Sequence, residues 1–313
     1  MNNEKIWGII SSAADSFQPD EELLAYIRAF KEKYGDNLDG IIFYGSCLTS
    51  NMRKPSSILD FFVLLREYRP AAKNLLDRLL LPLLPPNSYF MKISHNGKSL
   101  ESKYLLITLR DFRRLSTGHA TDHFVIGRMC KRAAIAWSKD DSARRMTLDS
   151  LADAFFNNAL VTAPLIVKPV DFEGLVMSFL KTSYLSELRL ELPNKIEQIY
   201  RAEKELYDEL YGLLAEEFVE SGILTLRNGM YQCSAGGKWQ ARKVRMYLWK
   251  SKARHILRFP KMIRNMDNWI GELLGKFERT YGRKLELSDW EKRHDFLTAV
   301  KYFYKIKIAK NIH

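Results

Sequence analysis

Gly45 and Ser46 end a run of β-forming residues, Gly40-Ile41-Ile42-Phe43-Tyr44, and a single aspartate, Asp60, stands inside the next such run, Ile58 to Leu65. A glycine-serine turn at the end of a strand can wrap the terminal phosphates of a nucleoside triphosphate. Glycine allows close backbone approach, and backbone N–H groups and the hydroxyl donate to the anion. Asp60 could then offer its carboxylate to a magnesium ion bridging those phosphates, the usual way phosphoryl-type transfer is stabilised. Many nucleotide-transferring enzymes carry a second aspartate two residues on, but here that place is Phe62. A tight turn beside a strand-edge aspartate would leave the same trace, so the chemistry requires the two strands to be neighbours.

The surrounding pattern supplies those elements. Pro19-Asp20-Glu21-Glu22 reads as a helix start, and Leu23, Leu24, Ile27 and Phe30 form its apolar stripe, which predicts a helix over 21–34. The runs at 40–44 and 58–65 read as buried strands of one sheet. A helix over 70–81 ends at Pro82 to Pro86, and Tyr89 to Ile93 pairs with Tyr104 to Ile107 across the turn-forming Asn96-Gly97. Thr108 caps a short helix, another spans 122–129, and Ala133 to Trp137 is a last strand. Beyond 141 the periodicity is helical apart from a small hairpin about Asn228-Gly229, and Ser288-Asp289-Trp290-Glu291 is a capping box starting a last long helix. The expected organisation is an α/β part over 1–140 and a mostly helical part over 141–313.

Tyr44-Gly45-Ser46 with Ile58-Leu59-Asp60-Phe61-Phe62-Val63 resembles the mitochondrial translocator assembly and maintenance family of peripheral phosphatidate cytidylyltransferases, the CDP-diacylglycerol synthases. That family also has one aspartate followed by an apolar residue. Lys103-Tyr104 resembles its lysine-tyrosine strand, and Phe124-Val125-Ile126-Gly127-Arg128-Met129 with Lys131 its glycine-arginine helix end. Thr182 to Leu190, Asn194-Lys195-Ile196 and Tyr207 to Tyr211 continue the likeness, which spans roughly 40–214 in order. Cys47 stands where a small residue is expected, and Ser186-Glu187 replaces a glycine-aspartate pair.

The resemblance implies an α+β nucleotidyltransferase (polymerase-beta-like) mixed-sheet domain followed by helices. The implied reaction is magnesium-dependent transfer of CMP from CTP to phosphatidic acid. Within it Tyr44, Gly45 and Ser46 would hold the triphosphate and Asp60 the metal, with Lys103 and Arg128 at phosphates. Lys131 and Arg132 are weaker candidates, since adjacent basic residues are usually a solvated face. Glu187 would be a second metal ligand and Arg189 a phosphate clamp, unless each pairs with helical neighbours.

The net charge of +12 favours an acidic partner. From Lys238 to Arg264 there are ten Lys or Arg, no acid, and four aromatic residues other than histidine. On a helix, Met246, Trp249, Ala253, Ile256 and Leu257 share about 100° of arc. Such a helix could lie in the headgroup layer of an anionic membrane, pack its stripe on the domain, or, as the weaker alternative, bind nucleic acid. Apolar runs are far short of a membrane span, and the first residues show no signal-peptide core. The expected place is therefore cytoplasmic, peripheral on the inner face of the cell membrane. Three widely spaced cysteines suit a reducing setting, with Cys47 a packing residue. His119 and His123 lack the companions of a zinc site.

Overall fold

The computed structural model describes residues 3–48, 58–187, 194–234 and 237–265, with 271, 274, 275, 278, 287–294, 297, 298 and 301 beyond them. Its centre is a five-stranded mixed sheet: β1 (Leu38–Tyr44), β2 (Leu59–Leu65), β3 (Asn87–His95), β4 (Lys98–Thr108) and β5 (Ala133–Ser138), in the order β3-β4-β2-β1-β5. β1 and β2 are antiparallel neighbours, as the chemistry requires, and β4 lies parallel to β2. The fold is α+β, a mixed sheet followed by a mostly helical half.

Strand alternation gives the sheet two apolar faces. α2 (Glu21–Tyr34), capped by Asp20, lays Tyr26, Ile27 and Phe30 on the face that carries Phe43, Phe61 and Tyr104. The opposite face carries Ile42, Tyr44, Phe62, Leu64, Leu105 and Ile107. It is covered by α4 (Leu109–Ser116), α5 (Phe124–Met129), α6 (Asp141–Thr162), α7 (Phe172–Leu185) and α9 (Lys204–Glu220). Burying a Phe this completely contributes about 2–3 kcal/mol, so both faces are strongly specified.

Phe62 is explained by this arrangement. It lies on the helix-covered face, its ring 5.1 Å from Tyr44 and 5.5 Å from Phe112 of α4. An aspartate there would place a charge inside the core.

Two elements depart from expectation. Residues 3–15 form α1 (Asn3–Asp15), whose Ile6, Ile10 and Ala14 join the helical core, an element with no capping box to announce it in the sequence. The helix expected over 70–81 is a 3₁₀ turn at Arg69–Ala71 followed by α3 (Leu75–Leu80). Asn74 restarts it, its side chain accepting from the Asp77 N–H. The hairpin β6 (Leu224–Arg227) and β7 (Met230–Cys233) is where its Asn-Gly turn places it. α8 (Lys195–Ala202) precedes α9, and α10 (Gly237–Leu257) and α11 (Phe259–Asn265) follow the hairpin. The capping box at Ser288 is formed and opens the helix Asp289–Arg293. The long continuation expected after it lies largely outside the described residues.

Candidate functional site

Pairing across the sheet sets one row, Phe90–Lys103–Asp60–Tyr44–Ala133. Residues in one row share a face, so Tyr44, Asp60 and Lys103 point the same way as Phe62, at the edge of the helical layer. The chain leaves β1 at Gly45 with φ +93°, a conformation open to glycine at little strain. A Cβ there would sit 3.2 Å from Asp60 Oδ2, so the turn lies directly against the carboxylate. Leu48 N–H closes the turn onto Gly45 O at 3.2 Å, and the buried Cys47 thiol donates to Ile58 O at 3.5 Å, tying the turn to the start of β2. Gly45 and Ser46 remain exposed beside the half-buried Asp60.

Arg128, in the last turn of α5, reaches the same end of the sheet. Its Nη2 is 2.7 Å from Glu187 Oε2, its Nη1 donates to the Tyr44 hydroxyl at 3.3 Å, and its guanidinium lies 4.5 Å from the Phe124 ring. Gly127 makes this possible, because a Cβ at that position would come within 2.8 Å of Ser183 O and 3.1 Å of Ser186 Oγ. Only a glycine lets α5 and α7 approach closely enough for Arg128 and Glu187 to meet. Burial pushes the Tyr44 hydroxyl well above its ordinary range, against the pull of Arg128, so it stays neutral.

The other candidates fall in two groups. Lys131 bonds Gly127 O and Ser183 Oγ and lies 5.0 Å from the Tyr184 ring, which ties the end of α5 to α7. Arg132 pairs with Glu203 at 2.6 Å. Both sit at helix junctions beside the row. Arg189 lies outside the described residues.

Three residues that the sequence reading did not single out complete the wall. Asp122, buried, accepts from the Phe124 N–H at the start of α5 and from Arg254 and Arg258 at 2.8 Å each. Burial alone would raise its pKa, but the two guanidinium groups outweigh it and hold the carboxyl below its ordinary value. Ser251 of α10 accepts from the His123 N–H and donates to Ser186 O, the carbonyl before Glu187. The His255 ring packs 5.4 Å from Phe124, on which Arg128 also lies, and enclosure depresses its pKa to about 4, with Glu187, Arg128 and Lys103 among the charges acting on it. The signal for Ser251 and His255 was present in α10, on the side opposite its apolar stripe.

Asp60 suits a magnesium ion carried in by a triphosphate, since such ions take one or two carboxylates and fill the rest of their shell with phosphate oxygens and water. Glu187 is engaged by Arg128. Among the described residues no group of three or more His, Cys, Asp or Glu could hold a metal by itself. His123 is buried on Asn158, and His119 lies in a turn.

His123 gives a pH prediction. Its Nε2 faces Asn158 Oδ1 at 3.0 Å, while the Asn158 amide donates to Phe179 O, so Nε2 carries the proton. Nδ1 has no partner among the described residues. A charged ring would put an N–H there without an acceptor, and burial lowers the pKa to about 4. The unfolded chain takes up this proton near pH 6.5. Stability is therefore full above about pH 7 and falls as the pH drops from 6.5 toward 4, by on the order of 3 kcal/mol. Urea midpoints of wild type and His123→Gln between pH 4.5 and 7.5 check this, the variant showing the smaller pH slope.

In comparisons with known proteins, no family model matches the chain and no curated protein matches it. Among solved structures, a nucleotidyltransferase-like protein from Exiguobacterium sibiricum 255-15 is similar at 12% identity over 91% of this chain and 88% of that one, with a TM-score of 0.26, too loose a superposition to bear on the site.

Proposed function

We propose that the chain is a nucleotidyltransferase, and specifically that it transfers CMP from CTP to phosphatidic acid on an anionic membrane surface, giving CDP-diacylglycerol and pyrophosphate. The observation that carries this reading is the contact between the Gly45 turn and Asp60, in one row with Lys103 and Tyr44 and under Arg128. An exposed glycine-serine turn, one carboxylate and two cations at one sheet end are the parts that a triphosphate needs. The choice of CTP and phosphatidate rests on the ordered resemblance from Tyr44 to Tyr211.

In this reaction a phosphate oxygen of phosphatidate attacks the α-phosphorus of CTP. A P–O bond forms, the bond from the α-phosphorus to the bridging oxygen breaks, and pyrophosphate leaves with the electron pair. The nucleophile's second pKa is about 6, so it is largely dianionic at neutral pH and needs no strong base. Magnesium, when bound, would neutralise charge on the triphosphate, with Asp60 as its protein ligand. The chain's own work is alignment: the Gly45-Ser46 turn holds phosphates, and Lys103 and Arg128 offset the negative charge gathered at the reacting centre. Glu187 fixes the guanidinium plane, and neutral Tyr44 buttresses it from the strand side.

A panel of the four nucleoside triphosphates, each with magnesium and with or without phosphatidate vesicles, tests the reading by pyrophosphate release. The expected result is release with CTP that depends on the lipid. Preference for ATP without lipid dependence would favour transfer to an RNA, a protein or a small molecule instead.

A further inference from the structure

The sequence left two places for the apolar stripe of α10, against the domain or outside it. The helix docks through its other side, with Ala241, Leu248 and Ser251 buried. Met246 and Trp249 are 65% and 72% exposed, and Trp239 and Leu257 stand beside them in solvent. A second exposed apolar face lies on α3, where Leu75 and Leu79, one helical turn apart, are 75% and 73% exposed and Leu83 follows in the turn. The segment that follows α10, Arg258 and α11, holds α3 and the turn after it in place. Arg264 pairs with Asp77 of α3 at 2.6 Å, Lys261 bonds the carbonyls of Leu80, Leu83 and Leu84, and Arg258 bonds those of Leu84 and Pro85.

We propose that α3 and the outward stripe of α10 form one docking surface whose occupant is an anionic lipid bilayer. Exposed cations flank both faces, Lys73 and Arg78 on the α3 side and Lys243 and Lys250 on the α10 side, and α10 contains no acid. A second copy seated on the same face would bring two basic surfaces together, which Coulomb repulsion opposes; an anionic headgroup layer accepts the cations while its acyl boundary takes the leucines and tryptophans. The surface is also coupled to the site, because the buried side of α10 holds Ser186 O and packs His255 on Phe124. The proposal deepens the lipid reading given above, but it rests on surface chemistry and can be tested without catalysis.

The test is flotation of the full chain with phosphatidylcholine vesicles containing about one third phosphatidylglycerol, without nucleotide, beside sedimentation velocity of the free protein. Wild type should float, less so in high salt and not with pure phosphatidylcholine. Leu75→Ser/Leu79→Ser and Met246→Ser/Trp249→Ser should each weaken partitioning about tenfold and together abolish it, with unchanged circular dichroism because all four side chains are exposed. Wild-type partitioning of the α3 variant would overturn the proposal. So would a wild-type dimer that the same substitutions dissociate, which would assign the face to a second copy. Failure of CDP-lipid synthesis with intact flotation would sink the catalytic reading and leave this one standing.

Discussion

Asp60→Asn is expected to lower the rate of nucleotidyl transfer by about 10³-fold, the scale seen when one charge-stabilising group is removed from a preorganised site, while the thermal midpoint stays within about 2 °C of wild type. Asp60 is half-buried at the rim of the sheet, against an exposed turn. In the proposed reaction its carboxylate holds the metal and contributes little to packing. The amide keeps the shape and removes the charge, so binding of magnesium-CTP should weaken along with the rate. Full activity in this variant, measured as pyrophosphate release at saturating CTP, would remove the carboxylate from the reaction.

The second large effect concerns the Arg128–Glu187 pair. The Glu187 side chain is almost wholly buried, and Arg128 is its partner at 2.7 Å. Arg128→Met should destabilise the fold by about 3 kcal/mol, because it takes a guanidinium away from a buried carboxylate. Adding Glu187→Gln should restore most of that stability, since a neutral amide costs less to bury than a carboxylate that has lost the guanidinium. Activity should not return with it. In the proposed reaction Arg128 also offsets substrate phosphate charge, so the double variant should fold well and transfer poorly, by about 10²-fold or more. Recovery of both properties together would make the pair purely structural. Urea unfolding and steady-state rates on the four proteins of this cycle separate the outcomes.

The strands that carry the site were legible because their apolar runs and the turn residues between them are local signals. Tyr44, Asp60 and Lys103 fall into one row because strand register follows from which face is buried. Phe62 was legible as a departure from a two-aspartate pattern, but its cause was not, since only packing against Tyr44 and Phe112 shows that its place belongs to the core. Gly127 could be noted beside Arg128, yet its need for a bare Cα depends on Ser183 and Ser186, more than fifty residues away. Pairings of that range leave no local trace.

α1 and α10 show the same limit from two sides. The stretch Asn3–Asp15 carries few charges, and its role became visible only when Ile6 and Ile10 met the helical core. For α10 the periodicity correctly picked out Met246, Trp249, Ile256 and Leu257 as one stripe, but periodicity does not say which side of a helix faces the protein. Asp122 decided that, by drawing Arg254 and Arg258 to the start of α5. The basic residues of this segment thus divide into two sets, one holding the helix down and one left facing outward.

The fate of the α-phosphate tests the proposed transfer to lipid most directly. With CTP labelled at that phosphate, magnesium and phosphatidate vesicles, the expected result is label in the organic phase as CDP-diacylglycerol, one pyrophosphate released for each lipid labelled, and both about 10³-fold slower with Asp60→Asn. Label that never enters lipid, across several phosphatidates and detergents, would contradict it.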